Sequence, residues 1–323
     1  MRVRVDAGAR IHIGFVNLSL AHERLYGGVG VALDEPRVVL RAEPSGAVDC
    51  SDALVAEYAE RACRVLDVPG VALTVERAVD RHVGLGSGTQ LSLSTLTAVA
   101  AAYDLEPAVR EHAPMLGRGG RSGVGVAAFE AGGFIVDAGH PTERFTSEPP
   151  APGGWVVPKV VSRHDVPSEW RFLLVRPETE PGRSGDAENE SMRSIVERAD
   201  PSVADDLAAL LTRRLLPAIV DRRLDAFGEA VSAFGRLNGA WYAEEQGGVY
   251  RPPVGQLIDT LSDRSSVRGI GQSSWGPTVY GVTDEKRAVD ARDDAERALD
   301  EVGIDGDVSI VEARNEGARV ESI

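Results

Sequence analysis

The run Gly84-Leu85-Gly86-Ser87-Gly88-Thr89-Gln90, with glycine at alternate positions, constrains this chain more than any other stretch. A backbone without Cβ at Gly84, Gly86 and Gly88 can fold closely around an anion. Residues 71–79 alternate like a strand, and residues 91–103 are an Ala, Leu, Ser and Thr run long enough for a buried helix. The helix therefore aims its unpaired N–H groups and positive dipole end at the loop. Ser87 and Thr89 add hydroxyls suited to phosphate or magnesium. We read the loop as an anion cradle, with Gly84, Gly86, Ser87, Gly88, Thr89 and Gln90 binding phosphate. No lysine follows the glycines as in a Walker A loop, and the spacing is GxGxG, not the dinucleotide GxGxxG. From spacing alone, a ligand-free strand-to-helix turn fits equally well.

A chain of 323 residues is expected to form two domains sharing a cleft. The proline-rich stretch at residues 148–154 is the linker candidate, giving domains 1–150 and 151–323. A formal charge of -15 argues against a nucleic-acid partner, because a phosphate backbone needs a basic face. Lys159 and Lys286 are the sole lysines, and arginine carries the remaining positive charge. This balance suggests a salt-adapted, halophilic cytoplasm; a GC-rich genome favouring arginine codons is the blander account. Cys50 and Cys63 lack metal-ligand spacing and read as core thiols. Neither a leader-like N-terminus nor a run of ~20 apolar residues is present, so no membrane span and a cytoplasmic location are expected.

Strands are expected near residues 3–5, 29–33 and 38–42, with turns at Gly27-Gly28 and Glu35-Pro36. A helix follows at 53–66, then a short helix at 123–131 and a strand at 132–138. Past the linker, strands are expected at 155–161, 171–175, 278–282 and 308–313. Helices are expected at 201–216, 217–237, 253–262 and 285–302, with a glycine-rich turn at 269–276. The alternation suits an α+β sandwich.

The second glycine-rich run, Gly269-Ile270-Gly271-Gln272-Ser273-Ser274-Trp275-Gly276-Pro277, would face the first across the interdomain cleft. Alone, it reads more simply as a hairpin turn anchored by Trp275. The first loop resembles the second motif of the GHMP superfamily. Four segments together resemble, more narrowly, the β-ribofuranosylaminobenzene 5'-phosphate synthase family. They are residues 9–15 (ARIHIGF), 84–90 (GLGSGTQ), 119–125 (GGRSGVG) and 271–277 (GQSSWGP). The resemblance implies an α+β, two-domain GHMP fold, ribosomal-protein-S5-like then ferredoxin-like, and an archaeal enzyme of methanopterin-type coenzyme biosynthesis. It also implies a homodimer.

The implied reaction joins 5-phosphoribosyl 1-diphosphate to 4-aminobenzoate or a similar para-substituted benzoate. A C-riboside forms, and pyrophosphate and carbon dioxide leave. A net negative protein needs a local positive patch for such a substrate. Arg10, Arg118, Arg121 and Arg183 are the candidates, with Arg121 foremost because Gly119-Gly120 and Gly123 flank it. The resemblance gives catalytic roles to Arg121, His12 and Ser122, and substrate contacts to Arg10, Arg183, Gln272, Ser273 and Ser274. His140 is a second histidine candidate. Mg2+ would be held by Ser87 and Glu130, while Asp186 and Glu188 either contact ribose or metal or belong to a solvated loop. Mevalonate-kinase-like relatives carry an aspartate base after a Ser-Gly pair, where this chain has Ser122-Gly123-Val124. That favours a synthase over an ATP-dependent kinase, the alternative activity. A silent phosphometabolite-binding relative is the third reading.

Overall fold

The computed structural model describes residues 1–145, 150–180, 182 and 185–323. Its first half runs β1 (Val3–Asn17), β2 (Arg24–Pro44), α1 (Ala53–Leu66), β3 (Val71–Arg77), α2 (Ser87–Ala102), α3 (Val109–His112), α4 (Val124–Ala131), β4 (Phe134–Asp137) and β5 (His140–Pro141). Then come β6 (Val160–His164), β7 (Trp170–Pro177), α5 (Gly185–Arg198), α6 (Pro201–Leu210), α7 (Leu216–Val220) and α8 (Leu224–Gln246). The chain closes with α9 (Val254–Ser262), β8 (Gly269–Gln272), β9 (Val279–Asp284), α10 (Ala288–Val302), β10 (Gly306–Val311) and β11 (Arg319–Ser322).

Two antiparallel sheets organise these elements. The larger runs β11-β1-β2-β4-β6, with β3 and β5 also on β2; the smaller runs β10-β7-β9-β8. The larger sheet takes β6 and β11 from beyond residue 150, so its strands come from both sides of the linker. Arg314 donates to the Asp6 carboxylate at 2.7 Å inside the protein and fixes the returning C-terminal segment beside β1.

The smaller sheet buries both faces, which explains the unbroken apolar run of β7. Trp170, Phe172 and Leu174 point into the main core, which is continuous with the larger sheet. Leu173 and Val175 point the other way, into a cluster made with α9 and α10. This is strand periodicity of two with apolar partners on each side.

Helix α2 carries no charged residue and is buried nearly all round. Such a helix belongs in the interior, and here it lies on β1 and β2 with α1 and α4 against it. Its central position brings its N-terminus to the junction of the two halves.

Several expectations change. Gly27-Gly28 and Glu35-Pro36 are not turns, since β2 runs through both. The glycines serve close approach instead: a Cβ on Gly28 would lie 2.1 Å from Ser122 Oγ, and one on Gly30 would lie 2.6 Å from Val124 Cγ1. Residues 155–159 are not a strand. Residues 269–272 are strand β8 and not turn; there a Cβ on Gly269 would meet Gly228 O at 2.2 Å, so strand and α8 touch backbone to backbone. Helix α2 starts at Ser87, four residues before the expected apolar run.

Pro217 does not divide two helices. A π-helical segment, Leu211–Leu215, joins α6 to α7 and accommodates the proline's missing N–H. The break comes at residues 221–223, where Arg222 adopts φ 54°. Helix α5 was not expected, although Met192, Ile195 and Val196 sit at helical spacing and are buried.

Replacing Gly30 by Ala should cost about 2–3 kcal/mol, because the new methyl would lie 2.4 Å from the immovable Ile11 carbonyl. Urea unfolding should show a lowered midpoint with unchanged slope.

Candidate functional site

Gly86 begins α2 at φ 79° and offers no side chain to cap the first turn. The Thr89 and Gln90 amides turn back to Gly86 O, each at 3.0 Å, which sets the helix start directly behind the glycine loop. Two arginines bracket this end. Arg10 donates from Nη1 to Gly84 O at 2.6 Å, and its guanidinium lies where a Gly86 side chain would go, 3.1 Å from that Cβ position. Arg118 Nη1 stands 3.2 Å from a Cβ placed on Gly88. The Arg118 guanidinium lies 5.3 Å from the centre of the Tyr58 ring and also donates to its hydroxyl.

Both cations are starved of partners. Among the described residues, Nε of Arg10 and Nε of Arg118 are buried without a hydrogen bond. Burial lowers the Arg10 pKa to about 10, opposed by Glu188, and burial likewise lowers that of Arg118. Arg10, about three units above neutral pH, still carries its charge there. Two desolvated guanidinium groups beside an uncapped helix start form an anion-binding arrangement: an incoming anion would supply the missing acceptors.

The two glycine runs do not face each other across open space; they are sewn together. Ser273 Oγ accepts from His12 N at 3.1 Å and donates to Gly84 O at 2.8 Å. Ser274 N donates to His12 O at 3.2 Å, and Thr278 N to Val83 O at 3.3 Å. A Cβ on Gly84 would sit 2.2 Å from Ser273 O, and one on Gly276 would sit 2.2 Å from Gly84 N. The fully buried Ser273 hydroxyl is thus committed to this seam and not presented to a substrate.

Beside the seam, β1 and α8 enclose a cavity of about 40 Å³. Phe15, Tyr242, Tyr250 and Trp275 give it aromatic walls, and His12, Asn238, Gln246, Gln272 and Ser274 give it polar ones. Asn238 is fixed by donating to Phe15 O at 2.5 Å. Gln272 is fixed by accepting from Arg251 N at 3.2 Å and donating to Ser274 O at 3.1 Å. Ser274 holds φ 56° at the cavity wall. The His12 ring packs edge-on to Phe15 at 4.8 Å, and its Nε2 has no partner among the described residues. Burial, aided by Arg10, takes its pKa down to about 3, so the ring is neutral at physiological pH. His140 also has an unpartnered Nε2 and a lowered pKa, again mainly from burial.

Among the other expected residues, Arg121 acts on Tyr242 of the cavity wall and donates a hydrogen bond to Tyr26. Arg121 is one quarter exposed and spans to α5, donating to Glu188 Oε1 at 2.6 Å and to Asn189 Oδ1. Its charge is thus matched by a carboxylate that also acts on Arg10. Ser122 donates to Asp137 Oδ2 at 3.0 Å and accepts from Val124 N at 3.1 Å, so it pins the start of α4. Gln90 Nε2 donates to Gly125 O at 2.9 Å, and Thr89 lies against Gly125; these side chains brace α4. Glu130 pairs with Arg110 on the surface at 3.0 Å and is not joined to Ser87. Arg183 lies outside the described residues. Among those described, no three His, Cys, Asp or Glu side chains cluster to hold a metal.

Asp137 escaped the sequence reading. It is buried and accepts from Gly123 N at 2.7 Å, Gly139 N at 2.8 Å and Ser122 Oγ. Burial raises its pKa despite these bonds. The signal available was the pair of small residues, Gly28 and Gly139, that close around it. Tyr242 also went unflagged and lines the cavity from α8, whereas Glu188, already a candidate from the sequence, acts on Arg10 and pairs with Arg121 from α5.

Comparison with known proteins agrees with this architecture. Residues 53–133 match the GHMP kinases N terminal domain, and residues 215–302 match the GHMP kinases C terminal domain. Beta-ribofuranosylphenol 5'-phosphate synthase of Methanothermobacter thermautotrophicus is 34% identical, covering 97% of each chain. The protein of that name from Archaeoglobus fulgidus is 32% identical, covering 99% of each. Homoserine kinase from Cytophaga hutchinsonii has a similar fold, with TM-score 0.66 at 18% identity over 99% of this chain and 97% of its own. Mevalonate kinase of Methanococcus jannaschii gives TM-score 0.66 at 10% identity over 97% and 98%. No helix among the described residues is long and apolar enough to cross a membrane.

The lowered pKa of His12 has a consequence for stability. The unfolded chain takes up a proton near pH 6.5 that the folded chain refuses until about 3. Stability is therefore whole above pH 6.5 and lost as pH falls through that window, at up to about 1.4 kcal/mol per pH unit. The His12→Gln variant should show a shallower decline between pH 6.5 and 5 in chemical unfolding.

Proposed function

Since the chain belongs to the beta-ribofuranosylphenol 5'-phosphate synthase family and carries its GHMP fold, we propose that it transfers a phosphoribosyl group to the ring carbon of a para-substituted benzoate with loss of carbon dioxide. The observation that carries this reading is the uncapped start of α2 between Arg10 and Arg118. There the diphosphate of 5-phosphoribosyl 1-diphosphate would find helix amides and two desolvated cations. The relatives are named for a ribofuranosylphenol product, which moves the favoured acceptor from 4-aminobenzoate to 4-hydroxybenzoate.

Diphosphate leaves C1 with the electron pair of the C–O bond, and positive charge develops on the ribose. Arg10 and Arg118 stabilise the departing anion more strongly than they would in water, because burial has stripped their solvent. A bound Mg2+ would neutralise further charge on the diphosphate; the Ser87 hydroxyl is the protein group that suits it, with phosphate oxygens and water filling the remaining positions. Glu130 does not fit that role, being held by Arg110. Arg121, paired with Glu188, is assigned to holding α5 against the site.

The acceptor's aromatic ring suits the cavity beside the seam, where Phe15, Tyr242 and Trp275 offer aromatic surface. Asp137 bears on the kinase alternative. It is the carboxylate beside Ser122 and Gly123, and it is 2% exposed with its oxygens already accepting hydrogen bonds. Sealed in this way, it supports a reaction that needs no carboxylate base at that segment.

Carboxyl-labelled 4-hydroxybenzoate should release labelled gas only when phosphoribosyl diphosphate and Mg2+ are both present. The Arg10→Met and Arg118→Met variants should lower kcat by about 10²–10³ while the circular dichroism spectrum is retained. Gas release independent of phosphoribosyl diphosphate, or ATP consumption with an alcohol acceptor, would refute the assignment.

A further inference from the structure

Of the buried polar atoms left without a partner among the described residues, one belongs to a residue that lines the cavity. His12 Nε2 is unpartnered among the described residues, and the side chain that bears it is 5% exposed and lines the cavity. Leaving such an atom unpaired costs about 1–3 kcal/mol, a cost that a bound ligand would relieve.

The position of His12 along β1 says which part of a ligand it would meet. Arg10 and His12 are two residues apart in one strand, so they share a face about 7 Å apart along it. Arg10 lies at the glycine loop and His12 at the cavity. The cavity's aromatic walls, with no arginine or lysine among its lining residues, suit the substituted end of an aromatic ring better than a phosphorylated sugar. An acceptor whose carboxylate-bearing carbon faces the ribose beside Arg10 would therefore direct its para substituent toward His12.

We propose that His12 Nε2 is the catalytic base that takes the proton of the acceptor's para hydroxyl as the new carbon–carbon bond forms. The inference rests on the phosphoribosyl-transfer reading and adds to it the residue that handles the acceptor's para proton.

The step balances. A π electron pair of the ring forms the bond to ribose C1 as diphosphate departs. Positive charge spreads to the para oxygen, whose O–H becomes strongly acidic, so a weakly basic imidazole suffices to take its proton. The resulting dienone then accepts the pair from the C–COO⁻ bond as carbon dioxide leaves. Ring aromaticity returns, and the phenolate oxygen recovers the proton from His12. No proton is gained or lost by the enzyme over the cycle.

The groups around His12 leave a clear window for testing this. Arg10 on its own strand stays cationic with a pKa of about 10. Tyr242 on α8 and Tyr250 beyond it are both pushed up by burial, Tyr250 to about 12. Neither phenol nor the histidine itself titrates between pH 6 and 9, so a rate change there reports on the acceptor.

The experiment compares wild type with His12→Phe, using carboxyl-labelled 4-hydroxybenzoate and phosphoribosyl diphosphate with Mg2+. Wild type should be nearly flat across pH 6–9. The variant should start about a hundredfold slower and rise up to tenfold per pH unit as the acceptor ionises by itself, its phenol titrating near 10. Parallel profiles for the two proteins would overturn the proposal. Wild type alone supplies an independent check that does not require a folded variant. The acceptor 4-methoxybenzoate, which has no proton to give, should compete with 4-hydroxybenzoate for binding yet release no gas; turnover at a comparable rate would equally overturn the role of His12. Silence of wild type toward both 4-hydroxybenzoate and 4-aminobenzoate would instead overturn the underlying reaction, a result separate from either of these.

Discussion

The Gly84 carbonyl is the point on which this molecule turns. It accepts from Arg10 Nη1 at 2.6 Å and from Ser273 Oγ at 2.8 Å, and Ser273 in turn accepts from the backbone of His12. One oxygen thereby ties a strand of the larger sheet, the glycine loop before α2 and the loop between β8 and β9. Charge assistance from the arginine makes this a strong junction. The unusual backbone of the loop, with Gly84 and Gly86 both at positive φ, follows from the need to present that carbonyl to both partners.

Around the junction, electrostatics runs against the bulk composition. The protein is strongly acidic overall, yet at the start of α2 it holds Arg10 and Arg118 with little solvent and incomplete hydrogen bonding. Burying charge without full compensation opposes folding. The arrangement persists because neighbouring elements over-determine it: Arg118 is stacked on Tyr58, and Arg10 is clamped to the loop it serves. Glu188 supplies a distant counter-charge from α5 and pairs directly with Arg121. Cationic side chains held in this way are already oriented, so little ordering would remain on binding an anion.

Much of this was legible in the sequence. Helix α1 matches its expected bounds because Asp52 caps it with bonds to Leu54 N and Val55 N, both local signals, and its apolar spacing is regular. The glycine loop announced itself by composition. The misreadings have a common origin in contacts distant along the chain. Glycines at 27–28 and 269–271 look like turns until the element pressing on them is known; only the fold shows Ser122, Val124 and Gly228 standing where side chains would be. Ser122, given a catalytic role, and Ser273, given a substrate contact, both have hydroxyls that hydrogen-bond within the protein, to Asp137 and to Gly84 O. Asp137 sits in unremarkable surroundings and gains meaning only from what it faces.

The glycine seam also fixes a length. Gly84 and Gly276 each occupy the space a side chain on the other would need, so neither loop can slide or swell relative to its neighbour. The span from the N-terminal end of α2 to the cavity beside β1 is thereby set by backbone contact and not by adjustable side chains. A rigid gauge of that kind discriminates by reach: a molecule too short leaves one end unsatisfied, and one too long fails to close. Diversification of ligand choice on this scaffold must then come from the α8 wall, whose side chains can change without resetting the gauge.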